Sequence, residues 1–176
     1  MSLITRETKE TSIKIEIARG AEIRIETTIP FLDHMMTTLA RYAGLAIDLS
    51  ARGDLRHHLI EDVAIATGLA VRQEFGGSIQ RFGHEVIPMD DAVVEAVLDL
   101  GGRPYYRGPL PSDLYDHWMR SFADHAAATL HLIVRRGVDR HHIVEAGFKA
   151  LGRALSQAIV PAERIASTKG AVRVGR

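Results

Sequence analysis

Laid on itself with an offset of 84 residues, the chain repeats. Arg52, Gly53, Arg56, His57, His58 and Glu61 match Arg136, Gly137, Arg140, His141, His142 and Glu145. Ala66, Gly68, Ala70 and Gln73 match Ala150, Gly152, Ala154 and Gln157. That makes ten identities in the 22 positions from 52 to 73, where ordinary residue frequencies give about one or two by chance. With a one-residue gap, Asp33-His34 falls on Asp116-His117. A solenoid needs at least three copies, so two copies imply a duplicated strand–loop–helix unit. At 176 residues the halves, 1–84 and 85–176, share one compact body.

Local patterns fill in the unit. Ile13, Ile15 and Ile17 alternate before Gly20, and Ile23 and Ile25 after it. Period two on both sides of a glycine predicts a β-hairpin over 11–26 with one buried face. Residues 31–43 predict a helix ended by Gly44, and 45–51 a strand. From His58 to Phe75, Ile60, Ala64, Thr67 and Val71 fall on one helical stripe. Val93–Leu100 reads as a strand, 113–127 as a helix and 128–136 as a strand. Val144, Phe148, Leu151 and Leu155 form the 3.6-residue stripe of a helix over 142–159. Residues 76–90 read as the joint between halves.

The repeated element is HHxxE, at His57–Glu61 and His141–Glu145. Imidazole with carboxylate suits a divalent transition metal. At a helix start either histidine of each pair can share a face with the glutamate, three or four residues on. Neighbouring histidines point about 100° apart around a helix, so they chelate one ion poorly. Two ions, each taking one histidine of a pair, is the natural arrangement. The nine histidines are many for this length; His84, His117 and His125 read as structural or surface groups. Arg81, Arg103 and Ser167-Thr168-Lys169 are candidate anion binders, because arginine offers a planar fork, lysine a point charge and serine a hydroxyl. No P-loop or GxGxxG accompanies them, so a nucleotide is not expected.

Several classes fall away. With no cysteine there is no disulfide framework, thiolate zinc site or cysteine nucleophile. The 22 basic residues balance 22 acidic ones, which argues against nucleic-acid binding through a basic face. No apolar run approaches the roughly 20 residues of a membrane span, and MSLITRETKE lacks the apolar core of a signal peptide. A cytoplasmic location is the expectation.

In order along the chain stand RETKET (6–11), PFLDHMM (30–36), HHLIED (57–62), RFG (81–83) and PMDDA (88–92). GGRP (101–104), TLH (129–131), HHIVEAGFKA (141–150) and STKG (167–170) follow. The set resembles the imidazoleglycerol-phosphate dehydratase family, the hydro-lyases of histidine biosynthesis. The resemblance implies an α+β fold of two sheet-plus-two-helices units, of the ribosomal protein S5 domain 2-like kind. It implies a homo-oligomer, a 24-subunit shell with two manganese ions at each site between subunits. Carried over motif by motif, the metal ligands are His34, His57, His58, Glu61, His131, His141, His142 and Glu145. His34, His57, Glu61 and His141 also face substrate. The phosphate pocket is Arg81, Arg103, Ser167, Thr168 and Lys169, with Lys149 nearby. Glu10 is the base by the same analogy, with Glu61 and Glu145 able to share proton transfer. Only Arg56 separates Gly53-Asp54-Leu55 from the first histidine pair, where many members carry a longer acidic segment. Carboxylate support for the histidines is therefore expected from elsewhere. The ligand set by itself also permits a dinuclear metal hydrolase of a phosphorylated substrate, or a metal-binding shell protein without turnover.

Overall fold

The structure is a computed structural model and describes residues 1–163. Each half is a four-stranded sheet with two helices. The first half runs β1 (Ser2–Glu7), β2 (Thr11–Arg19), β3 (Ile23–Glu26), α1 (Pro30–Ala43), β4 (Leu45–Gly53) and α2 (Arg56–Glu74). The second runs β5 (Phe82–Met89), β6 (Ala92–Leu100), β7 (Tyr105–Arg107), α3 (Asp113–His125), β8 (Ala128–Arg136) and α4 (Arg140–Ala158). Strand orders are β1-β2-β4-β3 and β5-β6-β8-β7, so the two sheets share one topology. The helices lie between the sheets, with α2 on β1, β2 and β4, α4 on β5 and β6, and helix pairs α1–α4 and α2–α3 closing the middle. One continuous apolar core runs through both halves. Among the described residues no helix is long and apolar enough to cross a membrane.

The expected hairpin over 11–26 does not form. β2 and β3 are strands, with Ile13, Ile15 and Ile17 fully buried, but β4 lies between them, antiparallel to β2 and parallel to β3. Alternation fixes which face of a strand is buried; it says nothing about the neighbour. The nine-residue β4 offers β2 a full ladder from Thr11↔Gly53 to Arg19↔Leu45, whereas β3 has only four residues. Parallel pairing of β3 with β4 then needs a crossover, and α1 supplies it. Asp33 fixes the entry by accepting hydrogen bonds from the Thr27 amide (2.8 Å) and hydroxyl (2.6 Å). Gly44 ends the helix at φ 67, with its N–H directed at the Ala40 and Arg41 carbonyls.

Residues 76–90 are a joint only in part, since β5 begins at Phe82 and belongs to the second sheet. Gly83 and Pro88 masked it. Proline suits an edge strand, and a Cβ at Gly83 would lie 1.8 Å from the Ala154 carbonyl, so α4 and β5 touch backbone to backbone there. The edge strand β1 and the three-residue β7 are additional to the expected strands.

Gly68 and Gly152, repeat mates, explain how the helices meet. A Cβ on Gly68 would sit 2.7 Å from the Phe122 carbonyl at the end of α3; one on Gly152 would sit 3.0 Å from the Leu39 carbonyl and 2.8 Å from Tyr42 Cβ on α1. Each crossing is set by backbone contact at a glycine. Gly152→Ala should therefore cost about 1–3 kcal/mol, the range for overpacking, and lower Tm by several degrees. A thermal melt unchanged from wild type would show that α1 slides without cost.

Candidate metal centre

The crossings at the two glycines place histidines of one half beside the HHxxE helix of the other. On the α1–α4 side, that of Gly152, His34 of α1 meets His141 and Glu145 of α4. Glu145 Oε2 lies 3.3 Å from His34 Nε2 and 3.2 Å from His141 Nε2. Phe31 packs its ring edgewise against both imidazoles. On the α2–α3 side, that of Gly68, His117 of α3 meets His57 and Glu61 of α2. Glu61 Oε1 is 3.2 Å from His117 Nε2, and Oε2 is 3.5 Å from His57 Nε2. In each trio one donor atom per residue falls within 4.8 Å of the others. Both trios thus take two imidazoles and one carboxylate, drawn from both halves of the chain.

The donor chemistry fits a divalent transition ion. His117 Nε2 is shielded from solvent and has no hydrogen-bond partner, although Glu61 is close. A ring nitrogen this close to a carboxylate is placed so that one divalent ion could take both as ligands. Glu145 is almost entirely buried. Burial pushes its carboxyl up, but hydrogen bonds from Lys149 (2.9 Å) and His34 outweigh this and hold it below the ordinary glutamate range. Lys149 is thereby tied to the trio, and it also touches Met89 Sδ and lies over the Tyr42 ring.

The second histidine of each pair faces away from its trio. The His57 and His58 rings are 6.2 Å apart at 77°, and His141 and His142 are 6.0 Å apart at 84°. His58 Nδ1 bonds Asp54 at 2.9 Å and lies 3.6 Å from Glu10. His142 Nδ1 bonds Asp91 at 2.6 Å, with Asp90 3.3 Å from its Nε2. The hydrogen bond to Asp54 raises the His58 pKa, and that to Asp91 raises His142. Carboxylate support for His58 therefore comes from within the short loop itself. Nδ1 is held by a carboxylate in both cases, an arrangement that would leave Nε2 as the nitrogen able to take a metal.

His131 lies on β8, beside Tyr105 with ring centroids 5.5 Å apart, and joins neither trio within the chain. His117, read from the sequence as structural or surface, occupies a trio instead. The signal was present, because His34 and His117 are repeat mates. Their preceding aspartates do the same work: Asp116 accepts from the Leu110 amide (2.8 Å) and the Tyr106 hydroxyl (2.6 Å) ahead of α3, as Asp33 does ahead of α1.

Among the expected anion binders, Arg81 forms a two-pronged pair with Asp99, at 2.5 and 2.9 Å. Arg103 follows the Gly101-Gly102 turn, and its carbonyl accepts from Thr129 at 2.9 Å. Ser167, Thr168 and Lys169 lie outside the described residues. His84 pairs with Glu95 and His125 with the Ser121 carbonyl, as structural groups do.

Known proteins resemble the chain over nearly its whole length. The family model described as imidazoleglycerol-phosphate dehydratase matches residues 27–155. The chain is 46% identical to the imidazoleglycerol-phosphate dehydratase of Pyrobaculum calidifontis, across 96% of this chain and 98% of that one. A crystal structure of IGPD from Pyrococcus furiosus in complex with (S)-C348 superposes with a TM-score of 0.89 at 39% identity, over 96% of this chain and 100% of the other. The imidazoleglycerol-phosphate dehydratase structure from Staphylococcus aureus gives 0.82 at 29% identity, over 92% and 100%. The chain belongs to the imidazoleglycerol-phosphate dehydratase family.

Proposed function

We propose that this protein removes water from imidazole glycerol phosphate to give imidazole acetol phosphate in histidine biosynthesis, with two Mn²⁺ ions per chain. The observation that carries the reading is the pair of matching trios, His34–His141–Glu145 and His57–His117–Glu61. Each offers three donors of the six an octahedral ion takes. His58 and His142, turned outward and carboxylate-supported, are the fourth donors, each given to a trio of a neighbouring chain in a symmetric homo-oligomer such as a 24-subunit shell. Each ion would then have three imidazoles and one carboxylate, with His117 in the role the resemblance gives to His131.

Bound there, divalent ions supply Lewis acidity and a template for the substrate's imidazole and hydroxyl. The protein residues do the rest. Arg81, Arg103, Ser167, Thr168 and Lys169 grip the phosphate end, with Arg81 aimed by Asp99. Glu145 stays ionised beside Lys149 and His34, and it orients His34 and His141 by lying between them. Glu10 takes the proton from the carbon next to the one that loses hydroxide. The C–O bond breaks, the enol forms, and its tautomerisation gives the ketone.

Elemental analysis after manganese reconstitution should saturate close to two ions per chain, and the loaded protein should form ketone from imidazole glycerol phosphate. Saturation near one ion overturns the dinuclear reading. Release of inorganic phosphate in place of ketone would mark a hydrolase, and two bound ions without turnover a metal-binding shell.

A further inference from the structure

The duplication supplies a built-in comparison at the residue after each trio glutamate. In the second half it is Ala146, fully buried. In the first it is Asp62, only 7% exposed. The fold therefore accepts a small apolar side chain at this place, and a buried carboxylate there needs a reason of its own.

Its partners supply one. Asp62 accepts from Arg6 Nη2 at 2.8 Å on β1 and from the Thr11 hydroxyl at the start of β2. Those residues bracket the turn that carries Glu10. Within that turn, the Thr8 hydroxyl accepts from the Glu10 and Thr11 amides at 3.1 and 2.9 Å. The Asp54 amide donates to the Glu10 carbonyl at 3.0 Å. Gly53 lets the turn sit close, since a Cβ there would lie 3.0 Å from Thr11 Cγ2 and 3.3 Å from the Glu10 carbonyl. The matching turn in the second half is different. Met89 pairs directly with Ala92, so only Asp90 and Asp91 bridge β5 and β6, and so tight a turn needs no brace. The half with the wide turn is the half with the buried aspartate.

We propose that Asp62 is a positioning residue: with Arg6 and Thr11 it braces the Thr8–Thr11 turn against α2, and so holds the Glu10 carboxylate beside His58. The proposal rests on the reading of Glu10 as the base. It makes the metal-bearing helix and the base-bearing turn one rigid unit, because residues 57, 58, 61 and 62 lie within a single turn and a half of α2.

Asp62→Ala removes the brace, Thr11→Val removes only its hydroxyl, and Asp62→Asn keeps an acceptor for Thr11. On the manganese-loaded protein, the amides of Glu10 and Thr11 should exchange hydrogen about tenfold faster in Asp62→Ala and in Thr11→Val. In both variants kcat should fall roughly 10–100-fold, as expected for a misplaced reacting group, with KM and metal content unchanged. Asp62→Asn should recover most of both losses. Wild-type exchange in both Asp62→Ala and Thr11→Val overturns the brace. Faster exchange with undiminished kcat overturns its role in positioning. Glu10→Gln is measured alongside. If it turns over normally, the assignment of the base fails and the catalytic half of the proposal with it, while the exchange rates still decide the brace.

Discussion

His117→Ala should bring metal content down from two ions per chain toward one and reduce turnover by at least about 100-fold, more than loss of a residue that merely supports a ligand. His131→Ala should leave the metal content at two. The reason lies in the second trio. Without His117, only His57 and Glu61 of the chain's own residues remain on that ion, both on α2 and 3.5 Å apart. Among the described residues no other imidazole or carboxylate joins that trio, because His58 is turned away toward Asp54 and Glu10. His131 faces Tyr105 on the sheet and contributes to neither trio. Because His117 is held by its backbone position on α3, His117→Asn serves as a second variant of closer volume and should lose metal in the same way. Elemental analysis of the three purified variants checks it. Loss of metal from His131→Ala with retention in His117→Ala would return the ligand role to His131 and place it in a site built by another chain.

The sequence carried the chemistry of this centre better than its geometry. HHxxE is a helical pattern, and spacing within one helix is legible: the structure pairs His57 with Glu61 and His141 with Glu145, four residues apart, as a helix face demands. Which third residue joins them depends on packing of α1 on α4 and α3 on α2, and no periodicity encodes that. The repeat did encode it. His34 and His117 stand at matching places in the two halves, so once either belongs to a trio the other follows by the pseudo-symmetry. His131 has no such mate, since its counterpart one repeat earlier is Ile47.

The fold shows the same division. Helices bounded by strong stripes and stops, such as 31–43 and 142–159, lie within two residues of the observed α1 and α4. Their stripes are buried as expected: Val144, Phe148, Leu151 and Leu155 all lie in the core. The neighbours of β2 and β3 are not legible in their alternation, because pairing is decided by the total ladder and by the crossover, both non-local. β5 is hidden in the sequence because glycine and proline, which normally interrupt a strand, here serve a backbone contact with α4 and an unpaired edge.

Mixed assemblies should regain activity that neither parent has. Glu10→Gln keeps the shape of the side chain but cannot accept a proton, and should leave kcat about 1,000-fold down or more, within the range for general acid–base groups. His141→Ala breaks the trio on α4 and should be equally silent. Glu10 sits against His58, 3.6 Å from it, and His58 points away from its own trio. If His58 completes the ion of a neighbouring chain, Glu10 arrives at that chain's site with it. A site then needs His141 from one chain and Glu10 from another. Co-assembling the two variants in equal amounts makes some sites with both groups intact. A closed symmetric assembly with random placement gives about one quarter of sites the working combination, because each contributing chain is of the required kind half the time. Activity near that fraction in the mixture, against near zero in either parent, is the expected result. The mixture should also be inactive when both substitutions are placed on one chain and combined with a second double mutant, since no intact pair then exists. A mixture of the single variants that stays silent, with subunit exchange confirmed by mass, would mean that Glu10 serves the trio of its own chain. The outward turn of His58 would then have another purpose.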